Sequence, residues 1–156
     1  MIQRIQSLYL LLATVLMVVC MSNSLGHFIS QDGDTLGTLY NLFYIDKREI
    51  NTVTLFTPWA LFVIQLIAAT LTFLSIFLYK HRALQMRVCS FCMILLVGWY
   101  IIYAAFAWTI TGVLGADSFR VGVAASLPCV SLILLYLSFR GIMKDEKLVR
   151  SLDRLR

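Results

Sequence analysis

Cys89 and Cys92 are separated by two residues, and their thiols form the clearest candidate for a reactive motif in this sequence. We call them the CxxC pair. They follow a basic segment that contains Lys80, Arg82 and Arg87 and come at the beginning of a long apolar run. Two thiols at the start of a helix can exchange between dithiol and disulfide, because the helix N-terminus favours the reactive thiolate. The spacing therefore predicts thiol redox chemistry as one candidate activity.

The CxxC pair resembles the pair that opens a membrane helix in four-helix, quinone-linked thiol oxidases. The resemblance implies a membrane thiol oxidoreductase with a quinone bound between helices. Those enzymes work on the oxidising side of the membrane and draw electrons from a second cysteine pair. Residues 26–55, the predicted outer loop, contain no cysteine, and Cys20 and Cys129 are isolated in apolar runs, where cysteine usually packs as a small hydrophobe. We keep thiol redox as the alternative and otherwise expect no enzyme, no cofactor and, with two ligands missing, no metal site.

Four apolar segments must position this pair. The chain of 156 residues is 60% hydrophobic and 13% charged, whereas a soluble domain carries about 25% charged residues. Residues 5–25, 56–79, 88–112 and 119–139 are apolar for roughly the 17–25 residues that a helix needs to cross a bilayer. These segments use most of the chain. We predict one all-α polytopic membrane domain over residues 1–156, folded as a four-helix transmembrane bundle.

Basic residues flank the predicted spans unequally. Ten of the 13 Lys and Arg residues lie before the first span, between the second and third, or in residues 140–156. The positive-inside rule then places both termini and the basic connector between the second and third spans in the cytoplasm. The net charge of +5 does not predict a nucleic-acid partner, since the charges border apolar spans and form no aromatic-laced stripe.

The segment after the first span predicts a small extracytoplasmic β-hairpin or sheet. Asp32-Gly33 is a turn signal between two β-prone runs, residues 28–29 and 36–44. A second polar turn is predicted at residues 46–49, followed by a third β-prone run at residues 50–55. The apolar side chains of this loop predict that it packs onto the helices.

The C-terminal segment predicts a short, charged cytoplasmic helix. Leucines recur on one face, and acidic residues alternate with basic ones, which favours docking to a protein over pure attachment to anionic lipid. The residues expected to contact a partner or lipid are Lys147, Leu148, Arg150, Leu152, Arg154 and Leu155.

The spans contain few polar residues. Gln65 predicts a hydrogen bond between helices, and Pro128 predicts a kink in the last span. No carboxylate, histidine or basic side chain lies deep within a span, whereas pumps and ion-coupled transporters need such groups at membrane depth. The leading hypothesis is a non-enzymatic membrane scaffold or accessory subunit that binds a partner through its C-terminal segment. Its predicted partners are the bilayer and another membrane or cytoplasmic protein.

Both ends of the chain resemble one family. The opening MIQRIQSLYLLLA and the ending KDEKLVRSLDRLR are similar to the terminal segments of the domain-of-unknown-function family DUF4293, four-helix membrane proteins of Gram-negative Bacteroidota. The resemblance covers essentially the whole chain and implies a bacterial inner-membrane protein. It supplies no catalytic residues to transfer.

Overall fold

The fold is known from a computed structural model that describes residues 2–30, 33–46 and 58–153, with side chains described for residues 5–30, 33–45, 58–79, 81–113 and 115–146. All four predicted spans form helices that are long and apolar enough to cross a membrane. The helices are α1 (Ile2–Ser22), α2 (Trp59–Phe77), α3 (Arg82–Leu114) and α4 (Leu127–Asp153). Their apolar composition and length confirm a multi-pass membrane protein.

Each helix lies antiparallel to two neighbours. α1 contacts α2 and α4, and α3 contacts the same two helices from the other side. Gln6 near the start of α1 meets Asp145 near the end of α4, while Trp99 in α3 meets Leu61 in the first turn of α2. The short connection between α2 and α3, residues 78–81, forces these two helices to run antiparallel. The connector between α2 and α3 and the C-terminal end of α4 consequently lie at one end of the helices.

The starts of α3 and α4 differ from the starts of the predicted third and fourth spans. α3 begins at Arg82, six residues before the predicted start, because the basic connector is rich in helix-forming Arg, Ala, Leu, Gln and Met. α4 begins only at Leu127, after a 3₁₀ turn at Val123–Ser126. Pro128 is therefore the second residue of α4, where its missing N–H costs no intrahelical hydrogen bond. The predicted kink at this proline is wrong.

A four-stranded antiparallel sheet packs at the opposite end from the connector. Its strands, in the spatial order β3-β2-β1-β4, are β1 (Gly26–Ile29), β2 (Thr35–Leu39), β3 (Tyr44–Asp46) and β4 (Ser118–Val121). The sheet predicted after the first helix is confirmed, and so is the turn between β1 and β2. Gly33 adopts a φ of 83° in that turn, a conformation that glycine reaches without a side-chain clash.

Other details of the sheet correct the predictions. A turn that was not predicted falls at Tyr40–Phe43, where the Tyr40 amide donates to the Phe43 carbonyl at 2.9 Å. Of the turn predicted at residues 46–49, residue 46 ends β3 and residues 47–49 lie outside the described residues. The predicted third run, residues 50–55, lies outside the described residues. Strand β4 was assigned to the last membrane span, but it pairs with β1 in full register from Gly26↔Val121 to Ile29↔Ser118.

Two buried clusters hold these layers together. One lies among the helices and includes Leu10, Met17, Leu96 and Leu135. The other joins the sheet to the helices and centres on Phe28 and Trp99, whose side chains have no exposed area. The sheet is thus part of the folded core rather than a loosely attached loop.

Candidate functional site

The CxxC pair does not open α3. Cys89 comes seven residues after Arg82, the first residue of the helix. The electrostatic influence of a helix N-terminus falls off within the first turn. The predicted activation of these thiols by the helix end is therefore wrong, although the prediction of a long helix through the pair is confirmed.

Both thiols face α2 and are closed off from the surroundings. Cys89 is 1% exposed and Cys92 0% exposed, and the two are free cysteines. The Cys92 Sγ lies 3.8 Å from the Ala68 carbonyl oxygen, and the Cys89 side chain shares a hydrogen bond with the Ser75 side chain. A substrate or quinone would reach these sulfurs only if α2 and α3 separated. The geometry is that of small polarizable side chains filling a helix–helix contact.

Metal ligation was expected to be absent on sequence grounds. Among the side chains described, those of residues 5–30, 33–45, 58–79, 81–113 and 115–146, no group of three His, Cys, Asp or Glu comes close enough to hold an ion.

The C-terminal segment continues α4 and does not form a separate short helix. α4 runs without a break from Leu127 to Asp153. Of the residues predicted to contact a partner, Lys147, Leu148, Arg150 and Leu152 lie in this helix, but their side chains are outside the described part of the chain. Arg154 and Leu155 lie beyond the described residues altogether.

The base of this C-terminal segment is fixed to α1. The Gln6 side-chain amide donates to the Asp145 carboxylate at 2.9 Å, and the Gln6 side chain also closes over Gly141, where an added Cβ would meet it at 3.1 Å. Ile142 is buried in the helical core. Sequence reasoning missed this contact, since a polar residue at the second position of the first span gave no sign of a partner 139 residues away.

Polar side chains between the helices are used for packing. Gln65 is fully buried and donates to the Met17 carbonyl in α1 at 3.4 Å, as the predicted interhelical contact requires. Ser131 in α4 similarly donates to the Ala13 carbonyl at 3.3 Å. Such hydrogen bonds to backbone carbonyls join neighbouring helices in lipid, where water cannot satisfy them.

A groove at the sheet end of α3 was not predicted. It has a volume of about 620 Å³ and lies between α3 and the edge strand β4. Its lining is apolar except for one threonine and consists of Tyr103, Ala104, Ala107, Trp108, Thr111, Gly112, Phe119 and Val121. The sequence signal for it is the cluster of small residues next to Trp108.

A family model described as "Domain of unknown function (DUF4293)" matches residues 2–155, which include all four helices and the sheet. None of the curated proteins compared with the chain matches its sequence.

Proposed function

The chain belongs to the DUF4293 family, and we propose that it is a non-enzymatic accessory or scaffold protein of the bacterial inner membrane that binds a partner through its C-terminal helix. The observation that carries this proposal is the unbroken course of α4. A helix that continues from the membrane-spanning region to Asp153 presents its surface at a fixed angle and distance from the bilayer. A flexible tail would have to be ordered on binding, at a cost in affinity.

The fixed base of α4 supports a docking role. Asp145 is bound to Gln6, and the last seven residues of the helix, 147–153, extend about 10 Å beyond that contact. The sequence of this extension carries Leu148 and Leu152 four residues apart, together with Arg150 and Asp153 three apart. Neighbours at these spacings share a helix face, which gives a partner both an apolar stripe and an ordered pair of charges.

The proposed orientation is a helical bundle with both termini in the cytoplasm. Most of the basic residues belong to the connector end of the helices, and the sheet lies at the opposite end. The positive-inside rule assigns the basic end to the cytoplasm and the sheet to the periplasm. The partner of α4 would then be a cytoplasmic protein or the cytoplasmic part of another membrane protein.

Purification of the full chain in gentle detergent tests this function. We expect a partner at a fixed stoichiometry, its loss in a Leu152→Asp variant and its retention in an Arg150→Lys variant, which keeps the charge. A truncation should begin after Glu146, because removing residues from 142 onward would also delete the buried Ile142 and the Asp145 contact.

Exchange of Arg150 and Asp153 separates protein docking from lipid attachment. The exchange preserves net charge and should leave binding to vesicles of anionic phospholipid unchanged, since this depends on about 1 kcal/mol per basic residue near the surface. It should weaken a specific protein contact. Three results together would show that the helix attaches to lipid and does not dock to a protein. The chain would purify alone, the charge exchange would have no effect, and vesicle binding would disappear at moderate salt.

A further inference from the structure

At the sheet end of the helices, α3 extends far beyond the ends of the other three. Trp99 in α3 donates to the first turn of α2, Tyr100 to Ala125 just before α4, and Tyr103 to Leu25 just after α1, at 3.2, 2.8 and 2.9 Å between donor and acceptor. α3 nevertheless continues to Leu114. We call residues 104–114 the α3 extension. At a rise of 1.5 Å per residue it projects about 16 Å past the ends of α1, α2 and α4.

The α3 extension has one side covered and another bare. The sheet covers one side: Tyr103 at its base lies 6.1 Å from the Phe119 ring, and Ile110 is buried against the sheet core. On the bare side Trp108 is 85% exposed, and Val113 and Val121 are also mostly exposed. An apolar surface that lies past the ends of the neighbouring helices indicates a protein interface.

The bare side contains both a projection and a hollow. Trp108 projects from it, and the groove between the α3 extension and β4 runs alongside that side chain. The floor of the groove is made by small residues, Ala104, Ala107 and Gly112, at which another helix can approach closely. None of the residues that line the groove is charged, so the linings of two copies can meet without repulsion between like charges.

We propose that the occupant of this groove is a second copy of the same chain. Two α3 extensions pack side by side about a two-fold axis along the membrane normal, and Trp108 of each copy enters the groove of the other. A two-fold interface uses the same patch on both subunits and must be complementary to itself. A projection adjacent to a hollow of suitable size, on an uncharged surface, meets that requirement.

The direction of the strands supports contact through α3 rather than through the open edge of β4. β4 leaves the end of α3 and runs back along it, from Asp117, whose amide bonds to Ile29, to Gly122, whose amide bonds to Leu25. Antiparallel pairing of β4 with another β4 would turn the second copy upside down in the bilayer. Two parallel α3 helices keep both copies in the same orientation.

Two adjacent alanines provide a matched test. Ala104 lines the groove, whereas Ala105 is also exposed on α3 but lies outside the lining. We expect the full chain in mild detergent to have twice the 17.7 kDa chain mass by light scattering corrected for detergent. Ala104→Trp fills the groove and should raise the dimer dissociation constant about tenfold or more, the scale of a central interface residue. Ala105→Trp should leave it unchanged.

A second pair of variants removes the projection and guards against misfolding. Trp108→Ala should weaken the dimer to a similar degree, and Trp59→Ala, at another exposed tryptophan at the start of α2, should not. A monomer at every concentration would overturn the proposal. So would equal effects of the two alanine variants, or protection of Trp108 in a monomer by lipid, by another protein or by residues 47–57. The contact does not involve the C-terminal helix, so a dimer that captures no partner refutes only the proposed function.

Discussion

Gly37 in β2 lies where a side chain would displace a buried aromatic ring. A Cβ built at Gly37 would overlap the hydroxyl end of Tyr44 on the neighbouring strand β3 and come within 2.7 Å of its Cε2. Tyr44 is 6% exposed and makes an edge-to-face contact with Phe28 at 5.6 Å between ring centroids. Gly37→Ala therefore forces Tyr44 out of the sheet core or separates β3 from β2.

The magnitude follows from what Tyr44 would lose. Removing a large aromatic side chain from a buried site costs roughly 1.5–3 kcal/mol, and the aromatic pair adds about 0.5–1.5 kcal/mol. We expect the free energy of opening of the β2–β3 hairpin to fall by about 2–4 kcal/mol. Since 1.4 kcal/mol corresponds to a factor of ten, hydrogen-exchange protection of the Thr35–Leu39 amides should fall roughly 30- to 1,000-fold.

Hydrogen exchange followed by mass spectrometry on the full chain in detergent measures this loss directly. Gly98→Ala is the matched control, because a Cβ at Gly98 in α3 meets no atom within 4 Å and should change stability by at most about 1 kcal/mol. In a Tyr44→Ala background the cost of Gly37→Ala should largely vanish. Equal protection in the Gly37→Ala and Gly98→Ala chains would refute the proposed overlap.

Three further outcomes are expected. In a Cys129→Ser background, a membrane-impermeant maleimide should label Asp34→Cys in intact cells but Lys144→Cys only after permeabilisation. These exposed positions lie at opposite ends of the helices. The reverse labelling pattern would invert the proposed orientation. In the unmodified chain, a membrane-permeant maleimide should modify the exposed Cys129 while the buried CxxC pair stays unmodified until the protein is denatured, and rapid labelling of the pair would revive thiol redox chemistry. Gln6→Ala should lower thermal stability by the equivalent of about 1–2 kcal/mol through loss of the hydrogen bond to Asp145, whereas an unchanged melting temperature would show that α4 is held by apolar packing alone.

The four helices were predictable because their signal is local. A run of about 20 apolar residues must satisfy its backbone internally in lipid, and a helix does so without help from the rest of the chain. The turn at Gly33 was predictable for a similar reason, since Asp-Gly favours a tight turn wherever it stands between β-prone runs. The contact between Gln6 and Asp145 was not, because nothing near either residue records that α1 and α4 are neighbours.

The chemistry predicted for the CxxC pair depended on information that lies outside the motif. The spacing of Cys89 and Cys92 was read correctly, but their chemistry depended on where α3 begins, and that start is decided by the helix-forming connector. Burial of the pair against α2 is a tertiary fact that the spacing does not contain. The continuity of α4 into residues 140–153 was partly visible in the leucine pattern, whereas its attachment at Asp145 was not.

The errors at the sheet end have one common cause, which is that apolar sequence has two explanations in a membrane protein. Hydropathy assigned Phe119 and Val121 to a membrane span, yet they belong to β4, whose sheet buries Phe119 against Phe28 with 4.7 Å between ring centroids. Hydropathy likewise ended the third span near residue 112, although α1, α2 and α4 all end beside residues 99–103. On one side of the α3 extension, the apolar residues pack against the sheet. On the other side, they remain exposed. A hydrophobic helix that continues past the ends of the helices packed around it therefore indicates contacts with further protein as much as contacts with lipid.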